Sequence, residues 1–148
     1  MKTMLRKLLL VSLCAYAQFS IAVDYVSVSA ASAVLYDAPS GKAGKLFVVN
    51  RYTPLEQIVT LDQWVKVRDH EGGLYWAEKA SLSSKRYVVT NVPVMDVRAE
   101  PDFGSARVIQ VRQNVALERI EPTGTGWVQV RHQDGEVGYV RSSEVWGE

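Results

Sequence analysis

Two stretches of the sequence are nearly identical. The segment WVKVR at 64–68 returns as WVQVR at 127–131, and in both copies a glycine follows the tryptophan by eight residues and an aromatic residue follows it by twelve. Upstream, Pro39 matches Pro101 at a spacing of 62 residues, whereas the two tryptophans lie 63 residues apart. One loop between Pro39 and Trp64 must therefore be one residue shorter than its counterpart. A repeat of about 60 residues indicates two copies of one structural unit.

Each copy has the pattern of a series of short strands. In the second copy, segments rich in Val, Ile, Tyr and Trp alternate with turn-forming residues; they lie at 87–94, 108–111, 115–120, 127–131 and 137–140. Beyond residue 22, no segment repeats apolar residues at the spacing of an α-helix over three turns. A small bent barrel is the natural closure for such short strands, because closing removes exposed edges. The predicted fold class is all-β, with two small barrels in tandem at 23–84 and 85–148.

Residues 1–22 have the pattern of a secretory signal peptide. Three basic residues precede a short apolar run at 8–17, and Ser20 and Ala22 supply the small residues of a cleavage site. The apolar run is about half of the ~20 residues that a membrane-spanning helix needs. We expect cleavage after Ala22 and export to the periplasm or cell envelope, with no membrane span. A second site after Ala17 would leave an unusually short signal.

Cys14 is the only cysteine, and it lies inside the expected signal peptide. Lipoprotein signals place a small residue before the modified cysteine, but Leu13 stands there, so a lipid anchor is not expected. Disulfides, thiolate nucleophiles and cysteine zinc sites are thereby excluded from the mature chain. Cleavage also removes three of the 17 basic residues and none of the 16 acidic ones. The remaining net charge is slightly negative and the signs are mixed, which argues against nucleic acid as a partner.

The repeated pattern resembles the bacterial SH3-like domain, twice over. The residues that carry the resemblance are WVQVRHQDGEVGYVRSSEVWG at 127–147, its counterpart WVKVRDHEGGLYWAEKASL at 64–82, and DVRAEPDFGSARVIQVRQN at 96–114. The resemblance implies two small SH3-like barrels and an association with the cell envelope and peptidoglycan. It does not extend to the proline-peptide groove of eukaryotic SH3 domains. That groove needs a proline and a tyrosine where this chain has Arg141 and Glu144.

Alternation along the repeated strand defines a candidate site. Val128 and Val130 must face the core, so Trp127 and Arg131 face the other way, and the same holds for Trp64 in the first copy. A tryptophan on the polar face of a small barrel suits stacking on a sugar or a peptide. Covering of each tryptophan by a loop or by the sister domain is the alternative. Because valines would fill the core, replacing Trp127 by alanine is expected to leave the fold intact.

Other aromatic residues extend this candidate surface. Tyr75 in the first copy stands where the second has Gly138, so the first copy is the better candidate for having lost a binding site. The further binding candidates are Tyr139, Phe103, Trp76 and Tyr36.

The chemistry of the chain favours binding over catalysis. His70 and His132 lie in turns at positions that are not equivalent, and no third metal ligand is evident beside them. Without cysteine or any motif that pairs a nucleophile with a base, we expect no enzyme activity, no cofactor and no metal. The predicted function is recognition of peptidoglycan through the aromatic surfaces. The alternative is a periplasmic adaptor that binds an envelope protein through a sheet edge or those same surfaces.

The signal peptide gives the first testable prediction. N-terminal sequencing of exported protein should begin at Val23, or at Gln18 if the earlier site is used. Envelope protein that begins at Met1 would contradict it.

Overall fold

The computed structural model describes residues 22–148. The expected signal peptide at 1–22 lies outside the described residues, except for Ala22. Within the described part of the chain, no helix has the length and apolar composition that a bilayer crossing requires.

The first domain is a single antiparallel sheet of seven strands. They are β1 (Tyr25–Val28), β2 (Ser32–Tyr36), β3 (Lys45–Asn50), β4 (Pro54–Leu61), β5 (Trp64–Arg68), β6 (Leu74–Glu78) and β7 (Leu82–Ser83). Their order across the sheet is β3-β2-β6-β5-β4-β1-β7. A short 3₁₀ turn, Lys79–Ser81, joins the last two strands.

The second domain repeats this arrangement strand for strand. Its strands are β8 (Tyr87–Thr90), β9 (Val94–Arg98), β10 (Arg107–Arg112), β11 (Ala116–Pro122), β12 (Trp127–Arg131), β13 (Val137–Arg141) and β14 (Val145–Trp146). The order β10-β9-β13-β12-β11-β8-β14 is the order of the first sheet, and a 3₁₀ turn, Ser142–Glu144, again precedes the last strand. The predicted all-β fold with two tandem units is therefore confirmed.

The two sheets bend into barrels that stay open. Each hydrogen-bonded order ends in free edges, at β3 and β7 in the first sheet and at β10 and β14 in the second. The final strands contain only two residues each, and each pairs with one neighbour. We predicted closed barrels because closure removes exposed strand edges, but neither barrel closes completely.

The difference in repeat spacing arises in one hairpin. Asp62 and Gln63 form a two-residue turn between β4 and β5, whereas four residues, 123–126, separate β11 from β12. In the longer turn Gly124 and Gly126 adopt φ values of 75° and 80°, which glycine reaches without a steric penalty. One residue of this difference is offset because β4 is a residue longer than β11.

Alternating valines fill the two cores. Val128 and Val130 on β12 are fully buried, as are Val65 and Val67 on β5 at 2% and 0% exposure, which confirms the predicted register. Burial of one such side chain stabilises the folded state by about 1.5–3 kcal/mol. The second core consists of Val88, Met95, Val97, Val111, Leu117, Val128, Val130, Val140 and Val145.

Gly138 lets two strands of the second domain approach closely. A Cβ atom at this position would lie 2.5 Å from the backbone oxygen of Arg98 and 2.7 Å from a methyl carbon of Val97. In the first domain Tyr75 occupies the corresponding place and packs edge-on against Phe47, with ring centroids 5.2 Å apart. At this position, therefore, the second domain has a close approach of two strands, whereas the first domain has a packed aromatic pair.

The domains pack against each other through aromatic rings. Tyr52 of the first domain stacks on Tyr87 of the second, with centroids 4.6 Å apart and an interplanar angle of 21°. Tyr25 meets Trp146 edge-on at 5.1 Å. The guanidinium of Arg86 lies 5.0 Å from the ring centre of Tyr25 and donates to the Gly147 carbonyl at 2.8 Å. A unit of about 60 residues has a small core, so this shared surface adds stability to both.

Val130→Asp tests the assignment of the core. It would bury a carboxylate without a partner, which costs several kcal/mol in a domain whose total stability is about 5 kcal/mol. Far-ultraviolet circular dichroism and thermal denaturation should show loss of the second domain. Gln129→Asp, one residue away on the outward face, is the control and should melt close to wild type. The reverse result would contradict the register of β12.

Candidate functional site

A cleft of about 210 Å³ opens on the outward face of the second domain. Strands β9, β12 and β13 supply its walls, and the loop between β9 and β10 supplies one rim. The side chains that define it are Asp96, Arg98, Phe103, Trp127, Arg141 and Glu144.

Strand alternation places these side chains on one face. Met95 and Val97 of β9 point into the core, so Asp96 and Arg98 point outward. Across the neighbouring strand pair, Arg141 of β13 is the direct partner of Trp127 of β12. Paired residues lie on the same side of a sheet, which brings the arginine and the tryptophan together.

Trp127 lies opposite the core valines, but it is not open to solvent. Only 6% of the residue is exposed. Phe103 packs edge-on against its ring at 5.2 Å, and the guanidinium of Arg141 lies 5.3 Å from the ring centre. The expectation of an open stacking ring is therefore wrong for Trp127, because a loop covers it. The exposed aromatic surface of the cleft is Phe103, at 67% exposure.

The loop that carries Phe103 is fixed by hydrogen bonds. Arg98 donates from one guanidinium nitrogen to the Ser105 carbonyl at 2.8 Å and approaches Asp96 at 3.4 Å with the other. The backbone N–H of Glu100 donates to the Ser105 hydroxyl at 2.8 Å. These contacts hold the loop against β9, so Phe103 is positioned before any ligand arrives.

Arg141 and Glu144 are the residues that sequence reasoning missed as site residues. The Arg141 guanidinium lies 5.2 Å from the Phe103 ring centre and makes no ion pair with any of residues 22–148. Glu144 ends the 3₁₀ turn, and its backbone oxygen accepts from Asn91 at 3.0 Å. The pairing of β12 with β13 could have identified Arg141 as a site residue, since it places Arg141 beside Trp127.

Two other predicted residues of the second domain lie outside this cleft. Tyr139 is half-buried on the same outward face, and its hydroxyl accepts from the Gln129 side-chain amide at 3.4 Å. Arg131 is exposed and pairs with Glu118 at 3.4 Å in a separate groove beside the domain junction. Lys85 lies in that groove, and its pKa is raised by hydrogen bonds to Tyr87 and Glu118.

The first domain arranges its predicted residues differently. Tyr36 is buried and meets Trp64 edge-on at 5.2 Å, while Lys66 lies 5.9 Å from the ring centre of Trp76. Trp64 and Trp76 are each half-buried. The structure therefore brings Tyr36 and Trp64 together, with Trp76 on the neighbouring strand.

At the positions of the cleft's four charged residues, the first domain carries uncharged residues or, at one of them, a residue of opposite charge. The repeat spacing pairs Asp96 with Val34, Arg98 with Tyr36, Arg141 with Glu78 and Glu144 with Ser81. The equivalent face of the first domain thus lacks both arginines.

One turn gathers three potential metal ligands, which the sequence did not indicate. The His132 Nδ1 atom lies 3.2 Å from a carboxylate oxygen of Asp134 and 3.9 Å from one of Glu136. The backbone N–H of Asp134 donates to that same Nδ1 at 3.3 Å, so its lone pair is already engaged. Both carboxylates are exposed. This arrangement is that of a solvated turn, and we infer no metal site from it.

Comparisons with known proteins identify both repeats. The family model described as "Bacterial SH3 domain" matches residues 29–84 and 91–147. A comparison with curated proteins finds no match. Among solved structures, NlpC1 from Trichomonas vaginalis is 13% identical to this chain, with a TM-score of 0.39, and the alignment covers 85% of this chain and 46% of NlpC1. NlpC2 from the same organism is 11% identical, with a TM-score of 0.39, and the alignment covers 85% of this chain and 48% of NlpC2. The chain thus spans about half the length of those structures. Since the family model covers most of the sequence in two adjoining matches, the chain belongs to the bacterial SH3 domain family and carries two such domains in tandem.

Proposed function

We propose that this protein is a non-catalytic binding module of the cell envelope and that it recognises peptidoglycan through the cleft of its second domain. Bacterial SH3 domains are generally binding modules, and they often bind cell-wall material. The observation that carries the proposal is Phe103, an exposed aromatic ring on a hydrogen-bonded loop at the rim of a cleft that also contains two arginines. The expected signal peptide supports export to the periplasm or envelope.

An exposed ring on a fixed loop is well suited to bind a wall fragment. Phe103 offers an apolar face to a sugar ring or a peptide backbone, while Arg98 and Arg141 supply hydrogen-bond donors beside it. Because the loop is already ordered, binding need not be accompanied by a large loss of conformational entropy.

The composition of the cleft supports binding without catalysis. Its lining residues include no serine, cysteine or histidine, so it offers no common nucleophile and base pair. Of its two carboxylates, Asp96 is engaged by Arg98 at 3.4 Å and by Arg107 at 3.6 Å.

An adaptor that binds an envelope protein is the second candidate, and the edge strand β3 favours it. Leu46, Phe47 and Val48 are 48%, 54% and 67% exposed on a strand with only one neighbour in its sheet. An exposed apolar edge can accept an extended segment of another protein as an added strand.

Sedimentation with purified sacculi tests the proposal. Wild-type protein should co-sediment, and Phe103→Ala should weaken binding by about 1–3 kcal/mol, as expected when an aromatic anchor is lost. The fold should persist because Phe103 is largely exposed. Phe47→Ala, which removes an exposed phenylalanine from the first domain, is the matched control and should bind normally. Failure of the wild type to sediment would reject wall binding. Loss of sedimentation with Phe47→Ala alone would contradict the assignment of wall binding to the cleft and would point to strand β3 of the first domain instead.

Trp127→Ala should now destabilise the second domain, contrary to the expectation from strand alternation alone. Removing a buried tryptophan costs about 3–5 kcal/mol when the surroundings cannot collapse. Thermal denaturation should show a clear loss for Trp127→Ala and a smaller loss for Trp64→Ala, since Trp64 is only half-buried. Equal effects of the two substitutions would contradict this account of the covered ring.

A further inference from the structure

The cleft holds a cation that the protein itself leaves unpaired. Arg141 is half-buried, its guanidinium lies against the rings of both Phe103 and Trp127, and none of the ion pairs within residues 22–148 involves it. Contact with aromatic rings fixes the position of a guanidinium and leaves its N–H donors for a planar anion. A carboxylate can accept two of those donors in a bidentate arrangement.

The same cleft holds an anion that is also unpaired. Glu144 is half-buried, its backbone is fixed by the hydrogen bond from Asn91, and its carboxylate is absent from the ion pairs within residues 22–148. Arg141 and Glu144 do not pair with each other, although both line the cleft. By contrast, Asp96 and Arg98 in the same cleft form an ion pair.

From these observations we propose that the cleft of the second domain binds a short zwitterionic peptide, with its free carboxylate on Arg141 and its free ammonium group on Glu144. This rests on the proposed function and assigns the peptide part of the wall, not its glycan, to this cleft. A neutral N-acetylated sugar carries neither charge and would leave both side chains unpaired. A peptide with a diamino acid next to a free carboxyl end supplies both charges.

The first domain provides an internal comparison. Glu78 and Ser81 stand where the second domain has Arg141 and Glu144, so the equivalent face has no cation for a carboxylate at that position. Peptide binding should therefore depend on the second domain alone.

Titration calorimetry with the exported chain tests the charge requirement. The probes are N-acetyl-alanyl-lysyl-alanine with an L- or a D-alanine end, its C-terminal amide, and its Nε-acetylated form. One of the two free peptides should bind, and blocking either charge should weaken binding by about tenfold or more. No binding of either free peptide, or equal binding of the blocked forms, would overturn the proposal.

Substitutions then assign each charge to its residue. Arg141→Gln should weaken binding of the free peptide and remove the difference between carboxylate and amide, while Glu144→Gln should remove the difference between free and acetylated lysine. Glu78→Gln in the first domain is the matched control and should change neither difference. Thermal denaturation checks that each variant is folded, and Arg141→Lys, which keeps the charge, should retain part of the discrimination. Discrimination that persists in both Gln variants would overturn the assignment.

The outcome can be separated from that of the proposed function. If sacculi sediment the protein but the peptides show no charge dependence, wall binding stands and the zwitterionic ligand is rejected. If the peptides bind but sacculi do not, the cleft recognises such peptides in another setting and the wall-binding proposal falls.

Discussion

Burial of alternate valines on β5 and β12 is the interaction from which the rest of each domain follows. The described chain contains no cysteine, and each unit is close to the size at which a core alone is barely sufficient. Val128 and Val130 must therefore stay inside, and a register slip of one residue would expose both. Because that register is fixed, Trp127 is forced onto the outward face, where it meets its cross-strand partner Arg141. The core thus determines the geometry of the cleft.

Duplication has produced one scaffold with two different outward faces. Strand order and core positions agree between the domains, whereas the positions of Arg98, Arg141 and Glu144 are taken by uncharged or oppositely charged residues in the first domain. Aromatic contacts across the domain junction, above all the stack of Tyr52 on Tyr87, join the two domains. Three consecutive exposed apolar residues of the first domain lie on the edge strand β3.

Sequence patterns predicted what depends on local periodicity. The all-β class, the tandem repeat, the inward valines and the one-residue difference in a first-repeat loop all follow from spacing. Whether Trp127 is open or covered by a loop, the two alternatives that the sequence left, could not be decided from it, because the cover is a contact between residues far apart in the chain, Phe103 and Trp127. The sequence alone did not indicate Arg141 as a site residue; the pairing of β12 with β13 did, because it places Arg141 beside Trp127. Barrel closure was overestimated because two-residue final strands leave edges free.

The covered tryptophan changes what the cleft can recognise. An open indole would favour stacking on a neutral sugar face. Here the indole of Trp127 already contacts the Phe103 ring and the Arg141 guanidinium. Under the proposed peptide binding the indole would contribute indirectly, because its contact with the Arg141 guanidinium holds that group in the cleft. Loss of the Trp127 ring would have two effects at once: it would lower the stability of the domain, and it would remove the contact that holds the Arg141 guanidinium. If the cleft binds the proposed peptide, the stability of the domain and the preference for a charged ligand both depend on this one buried side chain, and the exposed face of Phe103 remains for apolar contact with the ligand.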